Sequence, residues 1–146
     1  MHVIIPVAGY GTRLRPHTYT KPKPLVQVAG NTVMGHIVDK LIGAGVNEIT
    51  FIVGYLGEQV EKYMRGHYPD LKCNYVEQVD RKGQSHAIYL ARDLVHEPVL
   101  IVFADTISDA QIGKLAAIET DGVIFTKKVD DPRRFGVVKT NEQGII

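Results

Sequence analysis

Apolar residues recur along this chain in two alternating rhythms. Short runs at residues 3–7, 48–53, 72–77 and 99–103 lie between polar, glycine or proline clusters, and they read as strands. Between them, apolar residues fall on one face of a 3.6-residue period. Met34, Ile37, Val38, Leu41 and Ile42 predict a helix that ends near Gly43 and Gly45. Leu56, Val60, Tyr63 and Met64 predict a second, stopped around Gly66. Ala87, Ile88, Ala91, Leu94 and Val95 predict a third, after Gly83. Ser108 and Gln111 have capping-box spacing and predict a fourth, carrying Ile112, Leu115 and Ala116. Two more strands are expected at 122–126 and 136–140, with a turn at 141–144. The run 99–103 is continuously apolar, so it is expected to be a central strand covered on both faces.

Repeated strand–helix alternation implies an α/β fold: a mainly parallel sheet with helices on both faces, in three layers. Ligands of such sheets sit outside the carboxyl ends of the strands. The loops after Val7, Val53, Glu77 and Phe103 are therefore the ones expected to matter.

Bulk composition narrows the classes. At 146 residues the chain is the size of one domain, taken as 1–146. It is 45% hydrophobic and 23% charged, with a net charge of +1, so neither a nucleic-acid nor a membrane partner is expected. Cys73 is the lone cysteine, expected to be a small hydrophobe in a strand. No apolar run is long enough to cross a bilayer, and a cytoplasmic location is the default expectation.

Charge is concentrated at one place. Gly9 and Gly11 follow the first strand, and Arg13, Arg15, Lys21 and Lys23 come next with no acid between Gly9 and Pro24. Glycines let backbone N–H groups form a concave anion nest. Arginine adds a planar fork suited to phosphate, and lysine a point charge. Pro16, Pro22 and Pro24 stiffen the loop. It is not a Walker A loop, because no Gly-Lys-Ser/Thr occurs. Leu14 stands where a dinucleotide fingerprint has its third glycine, which counts against an oxidoreductase.

The longer string, G-x-G-T-R-L-R-P-x-T-x-x-x-P-K-P-L, resembles the signature of the sugar-1-phosphate nucleotidyltransferases, a family that includes thymidylyl- and uridylyltransferases. The resemblance implies a Rossmann-like nucleotide-diphospho-sugar transferase fold. It also implies transfer of a nucleotidyl group from an NTP, dTTP or UTP favoured, to a sugar 1-phosphate, with Mg²⁺ as cofactor.

Carried onto this sequence, it makes Arg13 and Lys23 the catalytic charges on the phosphates. Ala8, Gly9, Gly11, Thr12 and Arg13 become nucleotide-binding. Gln78 and Gly83 would read the base; an amide that donates and accepts suits a pyrimidine imide edge. Asp105 follows the strand 99–103 and becomes the Mg²⁺ ligand, although Ala104 stands where the family usually has glycine. Lys23, together with Gly136 of the D-P-x-x-F-G-V-V segment, would contact the sugar phosphate. His86, on the next helix, is expected to pack or cap there rather than act in catalysis; His36 and His67 show no metal spacing and receive no role.

Family members continue with a Glu-Lys-Pro segment and a later aspartate, so an incomplete catalytic domain is expected. A non-catalytic nucleotide-binding module of the same fold is the alternative. The apolar Ile145 and Ile146 are expected to be covered by something, and a homo-oligomer is possible.

Overall fold

The computed structural model describes residues 1–146, apart from the side chains of Ala116 and Arg134. Ala116, assigned above to the face of the fourth helix, thus has its side chain outside the described residues. Four parallel strands form the central sheet: β1 (His2–Pro6), β4 (Glu48–Val53), β5 (Lys72–Glu77) and β6 (Val99–Ile101), in the order β5-β4-β1-β6. A short antiparallel hairpin, β2 (Gln27–Val28) with β3 (Asn31–Thr32), stands apart. The register sets Ile4 opposite Thr50 on one side and Ile101 on the other.

Strand alternation sorts the core into two layers. Val3, Ile5 and Val7 pack with Phe51, Met34, Val38, Leu41, Val60 and Met64, beneath α1 (Val33–Gly43) and α2 (Gly57–His67). Ile4 and Ile52 face the other way, against Ala87 and Ala91 around α3 (Gln84–Leu90). The expected three-layer, mainly parallel architecture is therefore present. Helix α1 starts where predicted because Thr32 caps it, its hydroxyl accepting the Gly35 N–H at 2.8 Å. The hairpin just before it was not predicted, since two-residue strands carry no periodic signal.

The bounds of β4 and β5 fall where the apolar runs place them. The last third departs from expectation. Strand β6 is three residues long and lies at the sheet's edge, not its centre, with Val99 37% and Ile101 38% exposed. Residues 122–126 and 136–140 form no strand, and Ile124 and Val137 are exposed. An apolar β-branched run becomes a strand only when another strand pairs with it, and no such ladder reaches these two segments. The predicted fourth helix is a 3-10 run, Ile112–Ala117, preceded by Gln111 without a side-chain cap. Ser108 does not cap it; its carbonyl instead accepts from the Lys40 ammonium. Ile112 is nonetheless buried in the main core. The turn at 141–144 is present: Asn141 Oδ1 accepts from the N–H groups of Gln143 and Ile145. Among the described residues, no helix is long and apolar enough to cross a membrane.

Candidate functional site

A cleft of about 460 Å³ opens at the carboxyl ends of β1, β5 and β6. Three of the four anticipated loops line it. Gly54, in the fourth, sits so close to Ala8 that an added Cβ would lie 3.0 Å from both the Cβ and the carbonyl oxygen of Ala8. The loop after β4 therefore backs the loop after β1 and supplies nothing to the cleft.

The loop after β1 is shaped by Gly11. Its φ of +63° is left-handed, and an added Cβ would lie 3.0 Å from Thr18 Cγ2 and 3.1 Å from Lys23 Cβ. The Gly11 carbonyl accepts from the buried Thr18 hydroxyl at 2.9 Å and from the Leu14 N–H at 2.9 Å. These bonds wind Thr12–Leu14 into a 3-10 turn and bring Ala8, Gly9, Gly11, Thr12 and Arg13 to the cleft wall. A second 3-10 turn, Lys23–Leu25, is anchored by the buried Pro24 and Leu25. That anchoring holds Lys23 at the same wall.

Lys23 Nζ reaches Asp105 Oδ2 at 2.8 Å across the cleft. The hydrogen bond from Lys23 holds the Asp105 carboxyl below the usual range, against a smaller opposing effect of burial. No three His, Cys, Asp or Glu side chains converge on a metal position among the described residues. A closed protein cage is therefore not what Asp105 can offer. Mg²⁺ bound with substrate phosphates needs only one or two carboxylates and keeps several waters, and a lone strand-end carboxylate fits that arrangement.

The opposite wall comes from the β5–α3 loop. Gln78 is buried, 6% exposed; its N–H donates to the Val53 carbonyl at 2.8 Å. Its side-chain Nε2 donates to the Gly83 carbonyl at 3.1 Å and lies 3.1 Å from His86 Nδ1. Gln78 and Gly83 both line the cleft, as does Gln84.

Every anticipated site residue but one is thus gathered here: Ala8, Gly9, Gly11, Thr12, Arg13, Lys23, Gln78, Gly83 and Asp105. Gly136 is exposed and does not line the cleft, because the segment around it pairs with no strand of the sheet. Arg15 turns away and stacks its guanidinium 5.1 Å from the Tyr19 ring centroid. Sequence reasoning missed Arg81, which lines the cleft with its guanidinium 3.6 Å from the Tyr10 ring centroid, and Tyr10 packs in turn on Tyr55. The Arg-Lys pair beside Gly83 was the only signal available, and on a polar loop it says little.

Residues 2–146 match the model of the nucleotidyl transferase family. The chain belongs to that family. It is 31% identical over 152 residues to a UTP–glucose-1-phosphate uridylyltransferase of Haloferax volcanii, a match covering 100% of this chain and 63% of that one. It is 34% identical over 151 residues to the catalytic subunit beta of a mannose-1-phosphate guanylyltransferase of Dictyostelium discoideum, covering 98% and 42%. The chain therefore spans less than two thirds of either relative. Among solved structures, HddC of Yersinia pseudotuberculosis, complexed with GMP-PN, superposes with a TM-score of 0.77 at 23% identity, over 97% of this chain and 65% of that one. That likeness establishes the Rossmann-like fold.

Proposed function

We propose that the cleft binds an NTP with Mg²⁺ and serves transfer of its nucleotidyl group to a sugar 1-phosphate, releasing pyrophosphate. The observation that carries this reading is the convergence of a glycine-bearing cationic loop, a strand-end carboxylate and a buried amide on one cleft. The relatives are named for UTP and for guanylyl transfer, and both act on sugar 1-phosphates by name. UTP or dTTP is the favoured donor here, through Gln78.

In this scheme Arg13 spreads the charge that gathers on the phosphates as pyrophosphate departs. Lys23 leaves Asp105 to meet a phosphate oxygen. Asp105 would then hold Mg²⁺, which neutralises phosphate charge when bound. Backbone groups at Ala8 and Gly9 and the Gln78 wall orient the nucleoside. The protein's work is positioning and charge stabilisation, and no side-chain nucleophile is required.

A second reading is nucleotide binding without turnover. It is favoured by Gly136 lying off the cleft, which leaves Lys23 as the anticipated sugar-phosphate contact that lines it. One experiment addresses both: incubate the chain with Mg²⁺, each NTP or dTTP, and a panel of sugar 1-phosphates, and measure pyrophosphate release alongside nucleotide affinity. Affinity with release supports the enzyme; affinity without release supports the binding module. Absence of both defeats the nucleotide reading.

A further inference from the structure

We propose that His86 is a positioning residue that locks Gln78 as a hydrogen-bond acceptor toward the cleft, so that the site selects bases bearing an imide N–H. The proposal rests on the nucleotide-binding reading above. A glutamine amide carries two N–H donors and one carbonyl acceptor. The Gly83 carbonyl can only accept, so the group facing it at 3.1 Å must be Nε2. The second contact of Nε2, to His86 Nδ1 at 3.1 Å, requires a neutral ring with its proton on Nε2. Both amide donors are then spent.

Oε1 is left. Among the described residues no protein donor reaches it, and Gln78 is 6% exposed with the cleft as its outlet. Turning the amide over would set Oε1 against the Gly83 carbonyl, a contact between two acceptors, so that carbonyl fixes which way the amide points. With the amide so oriented, His86 takes up the second N–H, and the donor that would otherwise let glutamine read either polarity is no longer free for a ligand.

An acceptor in a buried wall seeks a donor on the ligand. Uracil and thymine offer N3–H, and guanine offers N1–H. Cytosine N3 and adenine N1 present lone pairs at the equivalent positions, so those bases can satisfy Oε1 only by shifting to offer the exocyclic amino group beside them. The selected class is therefore imide bases against amino bases, a broader set than pyrimidines alone.

The test compares dissociation constants of the full chain for UTP and CTP in Mg²⁺, with inorganic tripolyphosphate as the base-free control. Wild type is expected to favour UTP by about fivefold or more, the low end of what an unpaired buried acceptor costs. His86→Phe keeps ring volume but removes the acceptor; its UTP/CTP ratio is expected to fall to about 1–2, with tripolyphosphate affinity unchanged. His86→Asn restores an acceptor and is expected to recover most of the ratio, which a role in packing alone would not predict. Should His86→Phe melt early, His86→Leu is read in its place. An unaltered ratio in the Phe or Leu variant overturns the positioning role, as does a wild type that binds UTP and CTP equally well. A wild type that binds no nucleotide overturns the nucleotide reading itself, and this proposal with it.

Discussion

At one end of the cleft, Gln78 is nearly buried and its amide is held by the Gly83 carbonyl and His86. At the other end, Arg13 is exposed and Lys23 and Asp105 hold each other across open solvent, their side chains 35% and 56% exposed. The first end works by fixed hydrogen-bond polarity, which water cannot easily replace. The second works by charge, which water and salt attenuate but which can change partners cheaply. On the proposed function, a site of this design would grip a polyanion by charge and check its base against a rigid wall.

Removing charge should produce the largest effect. Arg13→Ala is expected to weaken triphosphate binding by about 10- to 100-fold, the worth of a charge-assisted hydrogen bond, while leaving the UTP/CTP ratio within about twofold. Titration calorimetry with both nucleotides checks this, and a changed ratio would mean that the two ends are not independent.

Next comes Gly11→Ala. Strain at a φ of +63° and the contacts with Thr18 and Lys23 are expected to cost about 1–2 kcal/mol of stability and to loosen triphosphate binding together with it. Urea unfolding and the same titration read both. Loss of stability with full affinity would show that the loop's shape is not what places Arg13.

Ionic strength separates the ends without mutation. Raising salt from about 0.05 M to 0.5 M is expected to reduce triphosphate affinity several-fold, because exposed charges are screened. The base ratio should hold. A ratio that falls with salt would remove the distinction drawn here.

Asp105→Asn should have the smallest effect on stability. Lys23 holds the Asp105 carboxyl below its ordinary range. Its contribution is therefore complete above the unfolded value near pH 4 and is lost as pH falls through the lower folded value. Both partners are more than a third exposed, so under about 1 kcal/mol is expected at pH 7. Urea midpoints of wild type and variant should differ slightly at pH 7 and converge once the pH falls below the lowered folded value. A large gap at neutral pH would mean that the pair is structural rather than exchangeable.

Much of this was legible in the residues. Strands β4 and β5 pair in parallel, as a mainly parallel sheet requires, and their apolar runs set their limits. The cationic loop is local in sequence, so its spacing could be matched position by position. Asp105 was reachable because it directly follows an apolar run. What could not be read depends on distant partners. Residues 99–103 have the pattern of a central strand, but pattern does not say which strand lies alongside. The same holds for 122–126 and 136–140, and through them for Gly136. Arg81 and His86 were invisible for another reason: their meaning comes from Tyr10 and from the Gln78 amide, contacts that periodicity does not encode.

The outer border of β6 has a practical consequence. Its peptide groups face outward with no ladder partner among the described residues, beside the exposed side chains of Val99, Ile101 and Phe103. Such a rim invites stray β-pairing. In a preparation of this chain, concentration rather than temperature should then limit shelf life, with turbidity growing in concentrated stocks well below the melting point. A lysine at position 101 would protect the stock without touching the cleft.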